Sequence, residues 1–296
     1  MWVAESRRGR QHGFELTDTG NTGVSDREHP LSLHSEQADG ASPERPRPID
    51  WLFTFPFLLV FGGLLVLFDP LQRIARLFGR SPHEFTVGVL QVALVWSTRL
   101  CGTRIEVERA PEVRPGAGYL VVANHQSLFD MPISCSLLFS NYLKYVSKRE
   151  LARWIPSISY NLRRGGNAVI DREDREQATR AIRELGVQVQ QRGTSVLIYP
   201  EGTRARRGEL GRFHAKGVLT LLEAAPKLPL VPLVIDESWR LLRFNLFPVP
   251  FGTRIRVYIG APIERQPGED HLALLDEVRN EIKRVIARWR ASQHAA

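Results

Sequence analysis

Apolar and polar positions follow three different rules in succession along the 296-residue chain. Residues 1–50 are rich in Gly, Ser, Glu, Arg and Pro and show no hydrophobic period. Too little apolar surface is available there to offset the entropy of ordering, so a disordered polar tail is predicted. Residues 51–68, WLFTFPFLLVFGGLLVLF, form a run of eighteen positions without a charge. About twenty apolar residues span a bilayer, which makes the run a membrane-helix candidate, with a buried core helix as the alternative. Pro56 and Gly62-Gly63 are where it can bend. Leu71, Ile74, Ala75, Leu77 and Phe78 then alternate with Arg73, Arg76 and Arg80, an amphipathic turn suited to an anionic membrane surface. A second apolar stretch, 85–96, is short for a span and reads as re-entrant, interfacial, or the first packed helix of a soluble domain.

From about residue 100 the pattern changes to short apolar runs alternating with amphipathic helices, which is the signature of an α/β fold. Strands are expected at 104–108, 119–123, 143–147, 168–170, 195–199, 230–235 and 253–259, and helices at 133–141, 150–160, 173–191, 213–225 and 270–290. The expected architecture is a mixed, largely parallel sheet flanked by helices, preceded by an N-terminal membrane-associated helical segment. Its domains are 1–50, 51–100 and 101–296. Pro232 cannot donate to a ladder, so the strand at 230–235 is expected at a sheet edge or a bulge. In the last helix Leu275, Val278, Ile282, Val285, Ile286 and Trp289 recur at helical spacing, a face that packs on the domain.

Composition adds that an apolar fraction of 43% is ample for a core. The net charge of +8 is uneven, because six Lys/Arg and nine Asp/Glu in residues 1–50 leave +11 on the rest. An arginine excess suits anionic lipid headgroups, phosphorylated substrates, an acidic carrier protein or nucleic acid alike. The chain lacks a helix-turn-helix or RNP-like signature, and the apolar run argues against a soluble nucleic-acid binder. A basic membrane-surface or nucleic-acid-binding protein without catalysis is the alternative from another class. Cys101 and Cys135 form no CxxC, so a reducing compartment is the default. His125, His214 and His271 show no HExxH spacing, and no GxxxxGK[ST] occurs, so neither a metal site nor P-loop chemistry is expected.

The candidate chemistry sits where apolar strands end. The run 119–123 feeds Asn124-His125-Gln126-Ser127-Leu128-Phe129-Asp130, with Pro132 just beyond. Proline is tolerated in a first helical turn, so His125 and Asp130 lie in one strand-to-helix connection, where α/β folds place their chemistry. On an ideal helix, groups five residues apart are turned by about 500° and diverge. A tight turn over 126–129 instead brings the carboxylate back to the imidazole, giving a histidine base oriented by an acid. The alternative is that Asp130 caps the next helix and His125 is an ordinary loop histidine. A second strand exit reads Tyr199-Pro200-Glu201-Gly202-Thr203-Arg204. Gly202 lets a ligand approach the backbone and Arg204 offers a planar fork for phosphate, against the alternative of a plain turn with an exposed charge. Arg172, after Gly165-Gly166-Asn167-Ala168-Val169-Ile170-Asp171, is a second phosphate ligand or a surface charge. Lys216, in Phe213-His214-Ala215-Lys216-Gly217, is a further candidate for an anion.

Taken in order, N-H-x4-D at 124–130, G-G-N-A-V-I-D-R at 165–172, Y-P-E-G-T-R at 199–204 and L-V-P-L at 230–233 resemble the glycerolipid acyltransferase family, over about residues 100–235. Its best-known members are lysophosphatidate acyltransferases. Val169-Ile170 stands where an aromatic-Ile pair is frequent, which leaves the acceptor more open than the reaction type. The resemblance implies that His125 takes the proton of an acceptor hydroxyl and that Asp130 orients it. The oxygen then attacks the thioester of acyl-CoA or acyl-carrier protein without an acyl-enzyme, in keeping with the absence of a G-x-S-x-G elbow. Arg204, with Arg172 in support, would hold the acceptor phosphate. Glu201 and Gly202 would shape that site and Asn124 would support the histidine loop; Thr203 and Lys216, read from their own positions in the chain, complete the substrate-binding candidates. The implied enzyme is membrane-bound and makes phosphatidate from lysophosphatidate. Glycerol 3-phosphate, another lysophospholipid or a lyso-aminolipid are the other acceptors. No cofactor, metal or nucleic acid is expected; the expected partners are membrane lipids, the thioester donor and the lysophospholipid acceptor. The expected location is the bacterial inner membrane with the active site on the cytoplasmic face.

Overall fold

The uncharged run begins its helix before its first apolar residue, because the preceding polar residues close the first turn. In the computed structural model, which describes residues 45–205 and 207–294, helix α1 is Pro48–Leu77. Pro48 occupies the first turn, where a missing N–H costs nothing, and the Asp50 carboxylate accepts from the Arg47 N–H at 2.7 Å. Residues 48–50, expected as the end of the tail, are therefore helical; the expectation of disorder over 1–44 falls outside the described residues. The helix runs through Pro56 and Pro70, and Gly79, at φ +121°, turns the chain into α2, Arg80–Ser97, which packs back on α1.

Both helices are fastened to the α/β unit. Along α1, Asp50 accepts from the Phe251 N–H at 2.8 Å, and Thr54 Oγ1 from the Val249 N–H at 2.8 Å. Phe57 is buried, and further on the Leu65 carbonyl accepts from Ser157 Oγ at 2.6 Å. In α2 the buried Glu84 pairs with Lys144 at 2.8 Å and with Arg192 at 2.7 Å. The stretch 85–96 is thus the core of a packed helix.

The sheet contains β1 (Arg104–Arg109), β2 (Leu120–Ala123), β3 (Lys144–Lys148), β4 (Ala168–Ile170), β5 (Val196–Ile198), β6 (Leu230–Asp236) and β7 (Arg254–Ile259). Their order is β1-β7-β6-β2-β5-β3-β4, and every neighbouring pair is parallel except β6 with β7. Alternation along β2 sorts the core into two layers: Val121 and Ala123 join Phe57, Phe129 and Ile133 on one face, while Leu120 and Val122 join Val189, Leu221 and Ile282 on the other. Helices α5 (Arg175–Arg192), α6 (Ala215–Ala224) and α7 (His271–His294) cover the second face. Asp174 caps α5 by accepting from the Gln177 N–H at 2.9 Å, and Gly193, at φ +62°, ends it.

Three local expectations are corrected. The helix expected at 150–160 is a 3₁₀ turn, Arg149–Ala152, then a loop, then α4, Ile158–Arg164. Pro156 disfavours helical backbone at the residue before it, and Trp154 and Ser157 take φ values of +66° and +62°. The helix expected at 133–141 divides into α3, Asp130–Leu137, and a 3₁₀ turn, Phe139–Asn141. Pro232 lies in β6, between β2 and β7 and away from either edge. Its carbonyl accepts from the Gly260 N–H at 2.9 Å, so its missing N–H faces the same way, just past the last β6–β7 pair, Leu233 with Ile259. Gly260 leaves room for the ring: a Cβ there would stand 2.6 Å from Pro232 Cγ.

Candidate active site

The carboxyl ends of β2, β3, β4, β5 and β6 share one edge of the sheet, and the polar loops that follow them converge there. After β2 the chain turns tightly, with the Asp130 N–H donating to the Ser127 carbonyl at 3.3 Å, and this turn brings Asp130 back to His125. His125 Nδ1 and Asp130 Oδ2 are 2.8 Å apart. The same oxygen accepts from the N–H groups of Gln126 at 2.6 Å and Ser127 at 2.7 Å. The carboxylate is fully buried and binds the turn behind it, so it does not cap α3. Its other oxygen, Oδ1, accepts from Ser238 Oγ at 2.5 Å. Four donors on one carboxylate fix its position and that of the imidazole. His125 keeps 21% of its side-chain surface exposed, and Nε2 makes no hydrogen bond to a described residue. An imidazole bound at Nδ1 and open at Nε2 is arranged to accept a proton from an incoming hydroxyl.

The loop after β5 braces this turn. Glu201 Oε1 accepts from the His125 N–H at 2.7 Å and Oε2 from the Gly211 N–H at 2.7 Å, so one buried carboxylate ties three loop segments together. Burial raises its pKa above the ordinary carboxylate value, with the two N–H donors acting the other way. Tyr199 stacks on His125 with ring centroids 4.2 Å apart and planes at 17°. Burial and the neighbouring Asp130 carboxylate push the Tyr199 phenol well above its usual pKa, so the ring is a neutral plate against the imidazole.

The other sequence candidates divide into those in the network and those on the rim. Asn124 is buried and spends its amide on Ile235, accepting from its N–H and donating to its carbonyl, each at 2.8 Å. It extends the β2–β6 ladder by one peptide-like rung and supports the loop. The Arg172 guanidinium donates to the Gly202 carbonyl, joining the loops after β4 and β5. Gly202, at φ +65°, takes a left-handed conformation. Thr203, Arg204 and Lys216 are exposed, and their side chains make no hydrogen bond to another described residue, so nothing in the chain itself ties these two cations to Arg172. Among the described residues no three His, Cys, Asp or Glu side chains gather as a metal site. Cys101 and Cys135 are buried, and burial pushes both thiols up to about 12, which disqualifies them as acyl carriers.

Ser238 and the stacking role of Tyr199 were not anticipated. Tyr199 directly follows a buried strand and precedes Pro200-Glu201, so its position was legible although its partner was not. Ser238 follows β6, and the rule that polar residues just past a buried strand face the same edge would have selected it.

The acyltransferase family model matches residues 104–236, the stretch that holds both loops. The chain is 29% identical to the 1-acyl-sn-glycerol-3-phosphate acyltransferase of Escherichia coli, over 63% of this chain and 70% of that one. It is 26% identical to the alpha form of the same enzyme from Mus musculus, over 76% and 78%. The chain resembles the glycerolipid acyltransferase family. This acyltransferase shares its fold with the crystal structure of PlsC, the 1-acyl-sn-glycerophosphate acyltransferase of Thermotoga maritima. The TM-score is 0.68 at 20% identity, covering 82% of this chain and 96% of that one. The His125–Asp130 dyad, the Glu201 brace and the stacked Tyr199 all lie inside the matched stretch, so the family's shared domain and the network built from physical contacts coincide.

Proposed function

We propose that the enzyme moves a fatty acyl group from the thioester of acyl-CoA or acyl-carrier protein to the free hydroxyl of lysophosphatidate, giving phosphatidate. The observation that carries this reading is the 2.8 Å contact between His125 Nδ1 and Asp130 Oδ2, with Nε2 left open. The acceptor hydroxyl gives its proton to Nε2 as its oxygen attacks the thioester carbonyl carbon. The C–S bond of the resulting tetrahedral adduct then breaks, and the imidazolium returns the proton to the leaving thiolate. Asp130 holds the ring and balances its transient charge. Arg172, after β4, and Arg204, after β5, on strands separated by β3, are assigned to the acceptor phosphate, for which guanidinium is suited by its planar fork of donors. The printed activities of the E. coli and mouse relatives support lysophosphatidate as acceptor.

The enzyme works at a membrane in this reading. α1 is long and apolar enough to cross one by length and composition, and Leu52, Phe55, Leu59, Val66 and Leu67 are exposed along it. A thioester donor and free cysteines support an active site on the cytoplasmic face, which for a bacterial chain is that of the inner membrane.

The test is acyl transfer by purified protein in detergent, with labelled acyl-CoA or acyl-carrier protein and a panel of lysolipids and glycerol 3-phosphate. A positioned base contributes ~10² to 10⁴ in rate, so His125→Ala should reduce turnover by at least a hundredfold. Retention of more than about a tenth of wild-type activity would sink the assignment of the base. Arg204→Ala should raise the apparent KM for lysophosphatidate; an unchanged KM would point to an acceptor without a phosphate.

A further inference from the structure

Between the last turns of α1 and the loop leading into α4 lies a cleft of about 560 Å³, whose lining includes Asp69, Arg73, Arg153, Trp154, Tyr160 and Arg163. Neither the dyad nor Arg172, Glu201 or Arg204 lines it, so it is separate from the acyl-transfer site. Its charge is one-sided, with three guanidinium groups against one carboxylate. That carboxylate is already engaged, since Asp69 accepts from Arg73 Nε at 2.7 Å and from the Ser157 N–H at 2.8 Å. The arginines keep most of their donors open. Arg73 spends Nε on Asp69 and lies over the Tyr160 ring at 4.6 Å, Arg163 spends Nη1 on the Ala152 carbonyl, and the Arg153 side chain makes no hydrogen bond to another described residue.

The wall of the cleft is held in place. Ser157 is fully buried, and both its N–H and its hydroxyl are bonded to α1, which supports its φ of +62°. Trp154 takes φ +66° and leaves 95% of its surface exposed. A bulky L-residue in the left-handed region is strained, so the backbone here is held for a purpose, and an indole left in water is badly solvated unless the ring enters the boundary between headgroups and acyl chains. The neighbouring rim is apolar and open: Leu77 and Phe78 are 84% and 77% exposed, and Leu77 stands one helical turn beyond Arg73 on the same face. Guanidinium groups beside an exposed indole and an exposed aliphatic rim match a phosphate at the polar surface of a bilayer, with acyl chains beside it.

We infer that this cleft takes the headgroup phosphate of an anionic phospholipid, with Arg73, Arg153 and Arg163 on the phosphate and Trp154 in the interfacial layer. The inference rests on the membrane association in the proposed function and not on the identity of the acyl acceptor.

The test uses the full chain and two kinds of vesicle, phosphatidylcholine alone and phosphatidylcholine with phosphatidylglycerol. Co-sedimentation should favour the anionic vesicles. Each arginine near a charged surface is worth about a fivefold change in partitioning, so Arg153→Ala should weaken anionic binding about fivefold and Arg153→Glu more. Both leave neutral-vesicle binding as it was, and Arg153 touches no described partner whose loss would unfold the chain. Trp154→Ala should weaken binding to both vesicle types. Arg175→Ala with Arg180→Ala, charges removed from α5 instead, should change neither. Trp154 emission, taken as the difference between wild type and Trp154→Phe, should shift to the blue with anionic vesicles and not with inorganic phosphate. Equal losses from the α5 and cleft variants would overturn the site, as would no preference between vesicles. A full blue shift with inorganic phosphate alone would reassign it to a free anion. Acyl transfer in detergent, normal in Arg153→Glu, keeps a failure here distinct from a failure of the acyl-transfer reading.

Discussion

Replacing Asp130 by Asn keeps the shape of the side chain and removes its charge, which separates holding the imidazole from stabilising its charged form. In the native turn Oδ2 takes three N–H donors, from His125, Gln126 and Ser127, and Oδ1 takes one hydroxyl, from Ser238. An asparagine oxygen in the place of Oδ2 still accepts the three, and its NH₂ faces Ser238, whose hydroxyl can turn from donor to acceptor. The turn should therefore survive, at a cost of ~1–3 kcal/mol for four weakened hydrogen bonds. What disappears is the attraction between the carboxylate and the imidazolium formed when His125 takes the acceptor proton. For unit charges about 4 Å apart at an effective dielectric near 20 this is ~4 kcal/mol, or roughly 10³ in rate at about 1.36 kcal/mol per decade. Thiol release from acyl-CoA, followed at saturating acceptor beside a melting curve, measures both effects. The expected result is a kcat lower by about a hundredfold to a thousandfold, a KM changed little, and a cooperative transition at modestly lower temperature. A folded variant within tenfold of wild-type kcat would refute the claim that Asp130 acts through the charge on His125.

Two further perturbations test the frame around the site. Burial, with the nearby Lys144 and Arg76 cations outweighing Glu84, lowers the pKa of His83 in α2 to about 4. Below about 6.5 the unfolded chain then binds a proton that the folded chain does not, so stability falls as the pH drops from there toward about 4. His83→Leu removes that term; its melting temperature relative to wild type should rise between about pH 7 and about pH 4.5, and parallel curves would contradict the burial argument. Gly260→Ala places a methyl group 2.6 Å from the Pro232 ring, which cannot swing aside. Denaturant unfolding should show a loss of ~1–3 kcal/mol, and an unchanged midpoint would mean that the glycine is not what seats a proline inside the sheet.

The strands and the catalytic turn were legible because their signals are local. An apolar run ending in Asn124-His125, with Asp130 and Pro132 beyond, states both a strand exit and a helix start. Pro232 misled for an instructive reason. A missing donor excludes a residue from a ladder only on the side its N–H would face, and that side is set by Gly260, a residue distant in sequence that forms no pattern with it. Glu201 is assigned to shaping a ligand site by the family resemblance. Its contacts with the N–H groups of His125 and Gly211 depend on which strands are neighbours, and strand order is not written in hydrophobic periodicity. The break at 153–157 is half legible: Pro156 announces it, whereas the left-handed Trp154 does not.

The fastening of α1 bears on what can be taken away from this enzyme. Phe57 and Phe61 pack against Phe129, with ring centroids 6.1 and 5.8 Å away, and Phe129 is the residue before Asp130 in the catalytic turn. Asp50, Thr54, Leu65 and Asp69 supply acceptors that backbone or side-chain donors of the α/β unit use. The apolar helix is thus a wall of the candidate active site, and shortening the chain to begin after it would strip the turn of its packing and leave those donors bare. A version with less exposed apolar surface must therefore be made by recolouring the outward side of the helix, at Leu52, Phe55, Leu59, Val66 and Leu67, with its inward side kept intact.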